Sequence, residues 1–561
     1  MSRSSIGLIL HNANIITMNA QQPAAQAVAV AGGHIVAVGR DEDVLPLAND
    51  ATRIVNLGGQ TVTPGFIDAH AHMEREGLKT LRPSLAHART INDVLEVVRQ
   101  EVARRPQGEW IITMPVGQPP YYFGGPDNLV EKRMPDRWEL DAVAPDHPVY
   151  IPGLFGNWGA PPGYSALNSL ALQHNHLHPD TCPCCQGIDI QRADNGELNG
   201  IIVETNKRPM VEFDVLSKVP AFSYADRIEG LRRSLKTYHA YGTTSIYEGH
   251  GSAPETLSVY RKLWEDGELS MRSRLCISPT WTRDNADVFL RDSYAYARGI
   301  GLGDDFLRIG GINLGLGGAA ESAAASRNAL PNTGWAGFVE WHNSIDDYRF
   351  YATAAARHNI RVHSVVDDRL PEVLDVYEAI DRQYPLAGRR WVVEHIGNVS
   401  PEDIVRLRRL GIFITTNPLY TVWKNGAPKV DAAHGGNRFM PLKTLLEEGF
   451  QVSAGSDNIP VNPFYAVWTS VVRQERTTQK IIGAEQRLSR LQALSLITAH
   501  GAWLSYEEDL KGTIAVGKFA DFAVLSANPL TVADDALTDI HAHLTVVGGK
   551  VVHGELASFP A

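Results

Sequence analysis

The middle of the chain, residues 63–505, alternates short apolar segments with amphipathic ones, and this alternation is the strongest constraint on the fold. The apolar segments that predict β-strands are Trp110 to Met114, Val149 to Ile151, Thr243 to Tyr247, Arg361 to Val365, Trp391 to His395, Ile412 to Thr416 and Gln451 to Ala454. Helical periodicity lies between them, as at Ile91 to Arg104, Ala225 to Tyr241 and Pro401 to Leu410. Repeated β–α units favour a parallel sheet, and this length suits an α/β fold of the (β/α)8 TIM-barrel type with insertions. An open doubly wound sheet is the competing architecture.

Both ends of the chain have a different texture, with short β-prone segments separated by turns. At the amino terminus these include Ala27 to Ala31 and His34 to Val38, joined at Gly32-Gly33, and at the carboxyl terminus Asp521 to Leu525 and Leu544 to Val552. We therefore predict that residues 1–62 and 506–561 form one small β-sandwich domain from both termini. The barrel domain, residues 63–505, would be inserted in it, which requires the two ends of the barrel domain to lie close together.

Composition excludes several classes of protein. Of the 561 residues, 44% are hydrophobic and 20% are charged, as in an ordinary globular protein. The formal net charge of −11 argues against binding of nucleic acid, which requires a concentrated basic face. No apolar run is long enough to cross a membrane, no secretory signal is evident at the start, and four cysteines do not make a disulfide framework. We expect a cytoplasmic protein that acts on a small molecule, with a homodimer as the default assembly.

Histidine pairs separated by one residue are the first chemical signal. The chain has 20 histidines and four such pairs: His70/His72, His174/His176, His176/His178 and His541/His543. About one pair is expected by chance, so context must separate them. His70 and His72 follow the strand-like run Gly65 to Asp68, and residues two apart on a strand point to the same side. Both imidazoles could therefore bind one metal ion at the carboxyl end of the strand, although two solvated loop histidines remain the simpler alternative.

Three later residues occupy the same type of position. His363 ends one strand-like segment, His395 ends another, and Asp457 follows a third. Each alone is explained more simply as a core histidine or a helix-capping aspartate. All three lie where (β/α)8 enzymes place their catalytic residues, so the set favours one shared site.

These motifs together resemble the amidohydrolase superfamily. The signature is Pro64-Gly65-Phe66-Ile67-Asp68-Ala69-His70-Ala71-His72, followed in order by His363, Glu394-His395 and Gly455-Ser456-Asp457, with a carboxyl-terminal Gly512-x-Ile514-x-x-Gly517-Lys518-x-Ala520-Asp521. The likeness extends over nearly the whole chain. It is greatest to the amidohydrolase-3 or YtcJ-like branch, which includes N-substituted formamide deformylases.

The resemblance implies a metal-dependent hydrolase of a non-peptide C–N bond in an amide, formamide, carbamate or cyclic amide. It implies that His70, His72, His363, His395 and Asp457 form the metal site, with Asp457 also moving protons. One or two divalent ions, with zinc as the first expectation, would lower the pKa of water to about 7 and polarise the scissile carbonyl. His363 or His395 could instead act through a hydrogen bond, and the residues do not decide between these roles.

A binuclear site would need a bridging ligand. No lysine stands at a suitable strand end, so Glu204, in a segment similar to the Gly-x-x-x-Glu of the branch, is the first candidate and Glu248 the second. A surface or salt-bridged glutamate is the alternative in each case. The Lys-x-x-x-Asp-Gly stretch of the branch is replaced here by Arg308 to Asn313, which leaves the substrate open.

Other readings of the same residues remain. A deaminase that attacks an amidine-type ring carbon would use the same centre, and a catalytically silent binding protein could use the same fold. The segment from His174 to Cys185 is rich in histidine and cysteine but lacks a paired Cys-x-x-Cys motif. We interpret it as a loop insertion rather than a second metal site.

Overall fold

A computed structural model describes residues 6–120, 122, 124–153, 162–182, 187–205, 211, 215–277, 283–292, 299, 301–316, 344–366, 368–424, 426, 430 and 436–559. The strands are β1 Leu8–His11, β2 Asn14–Ile16, β3 Ala24–Ala25, β4 Ala27–Ala31, β5 His34–Gly39, β6 Arg53–Asn56, β7 Thr61–Pro64, β8 Phe66–Ala71, β9 Ile111–Ile112, β10 Val149–Ile151, β11 Gly163–Leu167, β12 Ile188–Arg192, β13 Leu198–Glu204, β14 Thr243–Ser252, β15 Arg272–Ile277, β16 Leu302–Gly303, β17 Leu307–Asn313, β18 Val362–Val365, β19 Val392–Glu394, β20 Phe413–Thr416, β21 Val452–Ala454, β22 Phe522–Leu525, β23 Ala542–Val547 and β24 Lys550–His553. The α-helices are α1 Asp41–Val44, α2 Met73–Leu78, α3 Ile91–Val102, α4 Arg137–Val143, α5 Ser169–His174, α6 Tyr224–Ala240, α7 Pro254–Glu265, α8 Ala286–Asp292, α9 Ile345–Arg357, α10 Leu370–Asp381, α11 Pro401–Leu410, α12 Leu442–Glu447, α13 Phe464–Val472, α14 Arg490–Leu496 and α15 Ala499–Leu504.

The central sheet is a (β/α)8 barrel, as predicted. Its strands pair in the order β8, β14, β15, β17, β18, β19, β20 and β21, and every pair in this series is parallel. The last strand returns to the first, where the backbone N–H of Asp457 donates to the carbonyl oxygen of His70 at 2.9 Å. The carboxyl ends of all eight strands therefore meet at one face, which is where enzymes of this fold hold their reactive groups.

Local sequence explains the helices between the barrel strands. In α11, Ser400 caps the amino terminus by accepting a hydrogen bond from the backbone of Asp403, and Pro401 occupies the first turn. Gly411 ends the helix in the left-handed conformation, with φ 65°. These signals place α11 at the predicted residues, and its apolar side packs into the main core around the barrel.

Two predicted barrel strands belong to a different sheet. Ile111–Ile112 and Val149–Ile151 are strands, but they pair with each other in a five-stranded sheet of order β12, β13, β11, β10, β9. This sheet is an insertion between the first and second barrel strands. The third and fourth positions of the barrel are instead taken by Arg272–Ile277 and Leu307–Asn313, neither of which was predicted as a strand. An apolar segment indicates a buried strand, but its sequence does not specify which sheet it joins.

The two ends of the chain share one sheet. β7 pairs in antiparallel register with β22, within a six-stranded sheet of order β24, β23, β22, β7, β2, β3. A four-stranded sheet of order β5, β4, β1, β6 packs on it through one apolar core, which includes Leu10, Val28, Val62, Phe522 and Leu544. The domain boundaries at residues 62 and 506 stay a prediction. Among the described residues, no helix has the length and apolarity needed to span a bilayer.

Candidate metal centre

Three residues from opposite ends of the barrel sequence converge at its carboxyl face. His70 lies on β8, His72 follows that strand, and Asp457 follows β21. One potential ligand atom from each lies within 4.8 Å of the other two, and all three residues are buried. The Asp457 Oδ1 atom is 3.1 Å from His72 Nε2 and 3.9 Å from His70 Nε2. Among the described residues, this is the one group of three or more such side chains close enough to share an ion.

His395 lies against the same group. Its Nε2 atom is 3.2 Å from His70 Nε2, and the side-chain amide of Asn417 lies 2.9 Å from the same His395 nitrogen. The Tyr420 ring packs edge-on against the His395 ring, with the centroids 5.3 Å apart. His395 thus faces the centre on one side and aromatic surface on the other.

Carboxylates stand behind both histidines of the pair. Glu394 Oε2 is 3.1 Å from His70 Nδ1, and Glu248 Oε2 is 3.6 Å from His72 Nδ1. The other oxygen of Glu248 accepts hydrogen bonds from the Met73 backbone, at 2.9 Å, and from the Tyr260 hydroxyl. Carboxylates in this position commonly orient the ring of a metal-binding histidine.

The buried charges shift each other's pKa values. Burial alone would raise the pKa of Asp457, but the histidines around it, His72 and His70 foremost, hold the pKa far below its usual value. Burial would likewise raise the pKa of Glu394, and His70 and His363 lower it to about 2. Burial lowers the pKa of His70, and Glu394 and Asp457 outweigh this and raise it above its ordinary value. Both carboxylates are therefore ionised at neutral pH.

Backbone strain marks the same positions. His395, Asp457 and Asn458 have φ values of 58°, 51° and 58°, in the left-handed region that side chains with a Cβ atom disfavour. Each such residue costs about 1–2 kcal/mol relative to ordinary backbone, and such strain concentrates at functional sites. All three residues come just after the ends of their barrel strands.

Two glycines make room for the central imidazole. A Cβ atom added at Gly249 would lie 2.2 Å from His70 Nδ1, and one added at Gly455 would lie 2.3 Å from the His70 backbone nitrogen. Neither position can therefore carry a side chain while His70 keeps its place.

Two predicted site residues are not part of this group. His363, predicted as a ligand, has Nδ1 3.0 Å from Glu394 Oε1 and Nε2 2.9 Å from the Tyr247 hydroxyl. Its ring is fully buried, and burial lowers its pKa to about 4. The histidine stands second in β18 rather than after its end, and its two ring nitrogens contact protein groups.

Glu204, the first candidate for a bridging ligand, ends β13 in the five-stranded sheet and not a barrel strand. It is buried, and its carboxylate accepts a hydrogen bond from the Val211 backbone at 3.4 Å. Within the described residues it is not a member of the metal-competent group. Glu248, the second candidate, is the carboxylate that lies beside His72.

Several positioning residues were missed in the sequence. Asp68 accepts hydrogen bonds from the His70 and Ser456 backbones at 3.2 and 2.8 Å, which ties the first barrel strand to the last. Asn458 accepts from the His72 backbone at 2.9 Å and donates to the His72 carbonyl oxygen. Asp68 had a detectable signal, since it lies two residues before His70 on the same strand. Asn458 had none, because its partner is 386 residues away.

The histidine- and cysteine-rich segment can be followed only in part. His174 ends α5 and packs edge-on against Trp110, with ring centroids 5.6 Å apart, and Cys182 is exposed. Cys184 and Cys185 lie outside the described residues. The interpretation of this segment as a loop insertion stays a prediction.

Comparison with known proteins adds independent information. Residues 53–553 match the amidohydrolase family. The chain is 25% identical over 577 residues to the N-substituted formamide deformylase of Arthrobacter pascens, covering 97% of each chain. It is 25% identical over 568 residues to the putative amidohydrolase YtcJ of Bacillus subtilis (strain 168), covering 97% of this chain and 99% of that one. An uncharacterized metal-dependent hydrolase from Pyrococcus horikoshii has the same fold, with a TM-score of 0.68, 19% identity, and coverage of 94% of this chain and 99% of that one.

Proposed function

This chain belongs to the amidohydrolase family, and we propose that it uses one divalent ion, held by His70, His72 and Asp457, to hydrolyse an N-substituted amide or formamide. The observation that carries the proposal is the convergence of two imidazole nitrogens and one carboxylate oxygen within 4.8 Å at the carboxyl face of the barrel. The Arthrobacter pascens relative, a formamide deformylase aligned over nearly the full length of both chains, supports the substrate class.

The donor set fits zinc. Imidazole nitrogen and carboxylate oxygen are ordinary zinc ligands, and two donors on one tetrahedral zinc ion lie about 3.3 Å apart. The Asp457 oxygen is 3.1 and 3.9 Å from the two histidine nitrogens, which is close to that spacing. Three protein ligands leave one position open, as catalytic zinc sites do and structural sites do not. When bound, the ion supplies Lewis-acid polarisation and lowers the pKa of water.

Asp457 is the proton carrier in this proposal. Its ionised carboxylate accepts a proton from the attacking water at one oxygen and then delivers it to the leaving nitrogen. The C–N bond breaks as the water oxygen adds to the carbonyl carbon, so the products are an acid and an amine. His395, at 3.2 Å from His70, contributes a second polar group next to the reacting carbonyl.

An apolar wall lies beside the centre, and we infer from it that the substrate carries an apolar substituent. Tyr420 touches His395, and Ile459 follows Asp457 by two residues. Both belong to one apolar cluster with Leu78, Met114, Tyr122 and Phe222. Met114 and Tyr122 come from the inserted region and Leu78 from α2, so insertion and barrel close this side together. Such a wall favours an alkyl or aromatic group over a charged one.

The test joins metal analysis to a substrate screen. Purified protein is analysed for bound metals, stripped with a chelator, reloaded with Zn²⁺, and offered N-formyl and N-acyl derivatives of apolar amines. We expect a metal-to-chain ratio of about one, loss of turnover on stripping and recovery on reloading. Acid and amine are quantified by mass spectrometry. Release of ammonia from a ring amidine would indicate a deaminase instead.

The chain contains its own control. His541 and His543 form another pair separated by one residue, but they lie on the exposed side of the terminal sheet. Replacing His70 and His72 with asparagine should abolish metal binding, whereas the same changes at His541 and His543 should not. Equal metal content in the two double variants would refute the proposed site.

A further inference from the structure

The apolar wall beside the centre contains a buried hydroxyl group. Tyr122, from the inserted region, is 6% exposed and belongs to the apolar cluster with Ile459 and Tyr420. Its backbone N–H donates to the Gln118 carbonyl oxygen at 2.8 Å, but its hydroxyl makes no hydrogen bond to any residue that the structure describes. A buried hydroxyl without a partner costs free energy, so this group does not contribute to the stability of the fold.

The backbone at Tyr122 is strained. Its φ is 49°, in the left-handed region that a bulky side chain disfavours. The loop before it approaches closely, because a Cβ atom added at Gly117 would lie 3.0 Å from the Tyr122 Cα atom. Strain of this type persists where the surrounding structure holds it, and it concentrates at ligand-binding and catalytic sites. The loop therefore holds Tyr122 in a conformation that its own backbone preference opposes.

Charged groups connect this hydroxyl to the metal centre. Lys79 Nζ donates to the carbonyl oxygen of Asn458 at 3.1 Å and also to Glu76 Oε2. Asn458 directly follows Asp457, so Lys79 joins Glu76 to the segment that carries a proposed metal ligand. Burial raises the pKa of Tyr122 and the Glu76 carboxylate raises it further, so the phenol keeps its proton at neutral pH and can donate it to a hydrogen bond.

Glu76 offers an acceptor beside this donor. Lys79 bonds its Oε2 atom, whereas Oε1 makes no hydrogen bond within the described part of the chain, and the side chain is 17% exposed. This corner of the wall thus combines one O–H donor with one carboxylate acceptor, and Lys79 balances the charge. A neutral group that both accepts and donates hydrogen bonds would satisfy the two together, and a hydroxyl is such a group.

We propose that Tyr122 and Glu76 determine substrate specificity. The apolar amine part of the substrate carries a hydroxyl group, which accepts a hydrogen bond from the Tyr122 hydroxyl and donates one to Glu76 Oε1. This inference rests on the proposed hydrolysis of an N-substituted amide or formamide and specifies the class of amine. Such a site discriminates strongly, because an analogue without the hydroxyl leaves buried polar atoms unpaired.

Matched pairs of substrates test this specificity. N-formyl benzylamines and N-formyl phenethylamines with a meta or para hydroxyl are compared with the same compounds carrying a methyl group there. Methyl is similar in size but forms no hydrogen bond. We expect the Zn²⁺-loaded wild type to prefer the hydroxyl member of at least one pair by about 10–100-fold in kcat/KM. Tyr122→Phe should reduce that preference about tenfold, because it removes the donor.

Glu76→Gln tests the acceptor. Lys79 would hold the amide oxygen of glutamine, so the NH₂ group would face the substrate and offer a donor in place of an acceptor. The preference for hydroxyl over methyl should fall about tenfold. A methoxy analogue, which only accepts hydrogen bonds, should lose less activity in this variant than the hydroxyl compound.

Tyr348→Phe is the matched control. Tyr348 is fully buried, and its hydroxyl bonds Ser364 and Tyr377 at 2.6 and 3.0 Å in the core around the barrel. This variant should keep the preference for hydroxyl but lower the urea midpoint, because it removes satisfied hydrogen bonds. Tyr122→Phe should do the opposite: without substrate or metal its urea midpoint should equal or exceed that of wild type.

The inference is overturned if wild type hydrolyses both members of every pair with equal kcat/KM, or if Tyr122→Phe keeps the full preference. It is also overturned if Tyr122→Phe lowers the urea midpoint as much as Tyr348→Phe, since the hydroxyl would then serve the fold. Failure of Zn²⁺-loaded wild type to hydrolyse any of these formamides would overturn the proposed function together with this inference.

Discussion

The two ends of the barrel both bury charged side chains, but they satisfy those charges in different ways. At the amino ends of the strands, Arg272, the first residue of β15, forms a bidentate ion pair with Asp521, at 2.7 and 3.0 Å. Two residues further, Arg274 pairs with Glu507, which also contacts Lys511 at 2.8 Å. Here each buried carboxylate has a protein cation as its partner.

At the carboxyl ends the buried carboxylates face imidazoles. Asp457, Glu394 and Glu248 each lie beside His70 or His72, and the His70 and His395 Nε2 atoms lie 3.2 Å from each other. A cation among these groups would satisfy carboxylate oxygens and imidazole nitrogens together. His395, Asp457 and Asn458, which have positive φ values, are also at this end.

Buried charge therefore serves two purposes in one barrel. Ion pairs at the amino end connect the strands to the carboxyl-terminal segment, and their removal should affect stability. The carboxyl end keeps its donors arranged for a ligand, and changes there should affect metal binding and turnover more than folding. Substitutions at each end test this difference.

The largest effect is expected for Asp457→Asn. The amide cannot accept the proton from water, so turnover of an N-formyl substrate should fall by about 10²–10⁴-fold. Because Asp457 is also one of the three proposed ligands, Zn²⁺ affinity should fall as well, so turnover is compared at saturating Zn²⁺. A variant that keeps full activity would contradict the assignment of Asp457 as the proton carrier.

The next effect is at the other end, for Glu507→Gln. Burial would raise the pKa of Glu507, but Lys511 and Arg274 hold it below its ordinary value, so the change removes a buried charge and leaves two cations unbalanced. We expect a loss of about 3–5 kcal/mol in the free energy of unfolding, measured by urea denaturation.

The neighbouring Glu508→Gln is its control. Glu508 is one-third exposed and pairs with Arg390, so the same substitution should cost at most about 1 kcal/mol. Equal losses in the two variants would show that burial does not set the strength of the ion pairs at this end.

A pH effect of intermediate size is expected at His239, in the last turn of α6. Burial lowers the pKa of His239 to about 4. The hydrogen bond to the Thr243 carbonyl oxygen acts in the opposite direction and raises the pKa, and nearby His553 lowers it further. The unfolded chain binds a proton near pH 6.5, whereas the folded chain does not until about pH 4, so the stability contributed by neutral His239 is full above pH 6.5 and is lost as pH falls. The expected loss is about 3 kcal/mol between pH 7 and pH 4.

The measurement for His239 is the urea midpoint as a function of pH. His239→Asn keeps a donor to the Thr243 carbonyl oxygen but cannot titrate, so its stability should fall less over this range. Parallel pH profiles for the two proteins would contradict the assignment of this loss to His239.

The smallest effect concerns the strained backbone. Asn458 has φ 58°, so Asn458→Ala should be less stable than Asn458→Gly by about 1 kcal/mol. Asn359 has φ 56° but is exposed after α9, and the same pair of changes there should give the same difference. Only the Asn458 variants should also weaken Zn²⁺ binding, because that side chain holds the His72 backbone. Weakened binding in the Asn359 variants would remove this distinction.

Much of the fold could be predicted because the relevant signals are local. The strands that end near His70, His395 and Asp457 were predicted within a few residues, since each is a short apolar run bounded by turn signals. The insertion was missed because Ile111–Ile112 and Val149–Ile151 show the same local pattern as barrel strands. Pairing depends on partners far along the chain, which periodicity does not report.

The sequence alone determined which residues could bind a metal ion and that they follow strands of a parallel barrel, because residue chemistry and strand periodicity are written locally. How deep each of these side chains lies in the barrel, and which groups it contacts, depends on the tertiary structure. His363 and His395 both come from segments with strand patterns, yet one lies a layer below the centre on Glu394 and Tyr247 and the other faces His70. The level that a side chain reaches inside a barrel depends on strand register and on where each strand ends, and both are set by hydrogen bonds between residues distant in the chain.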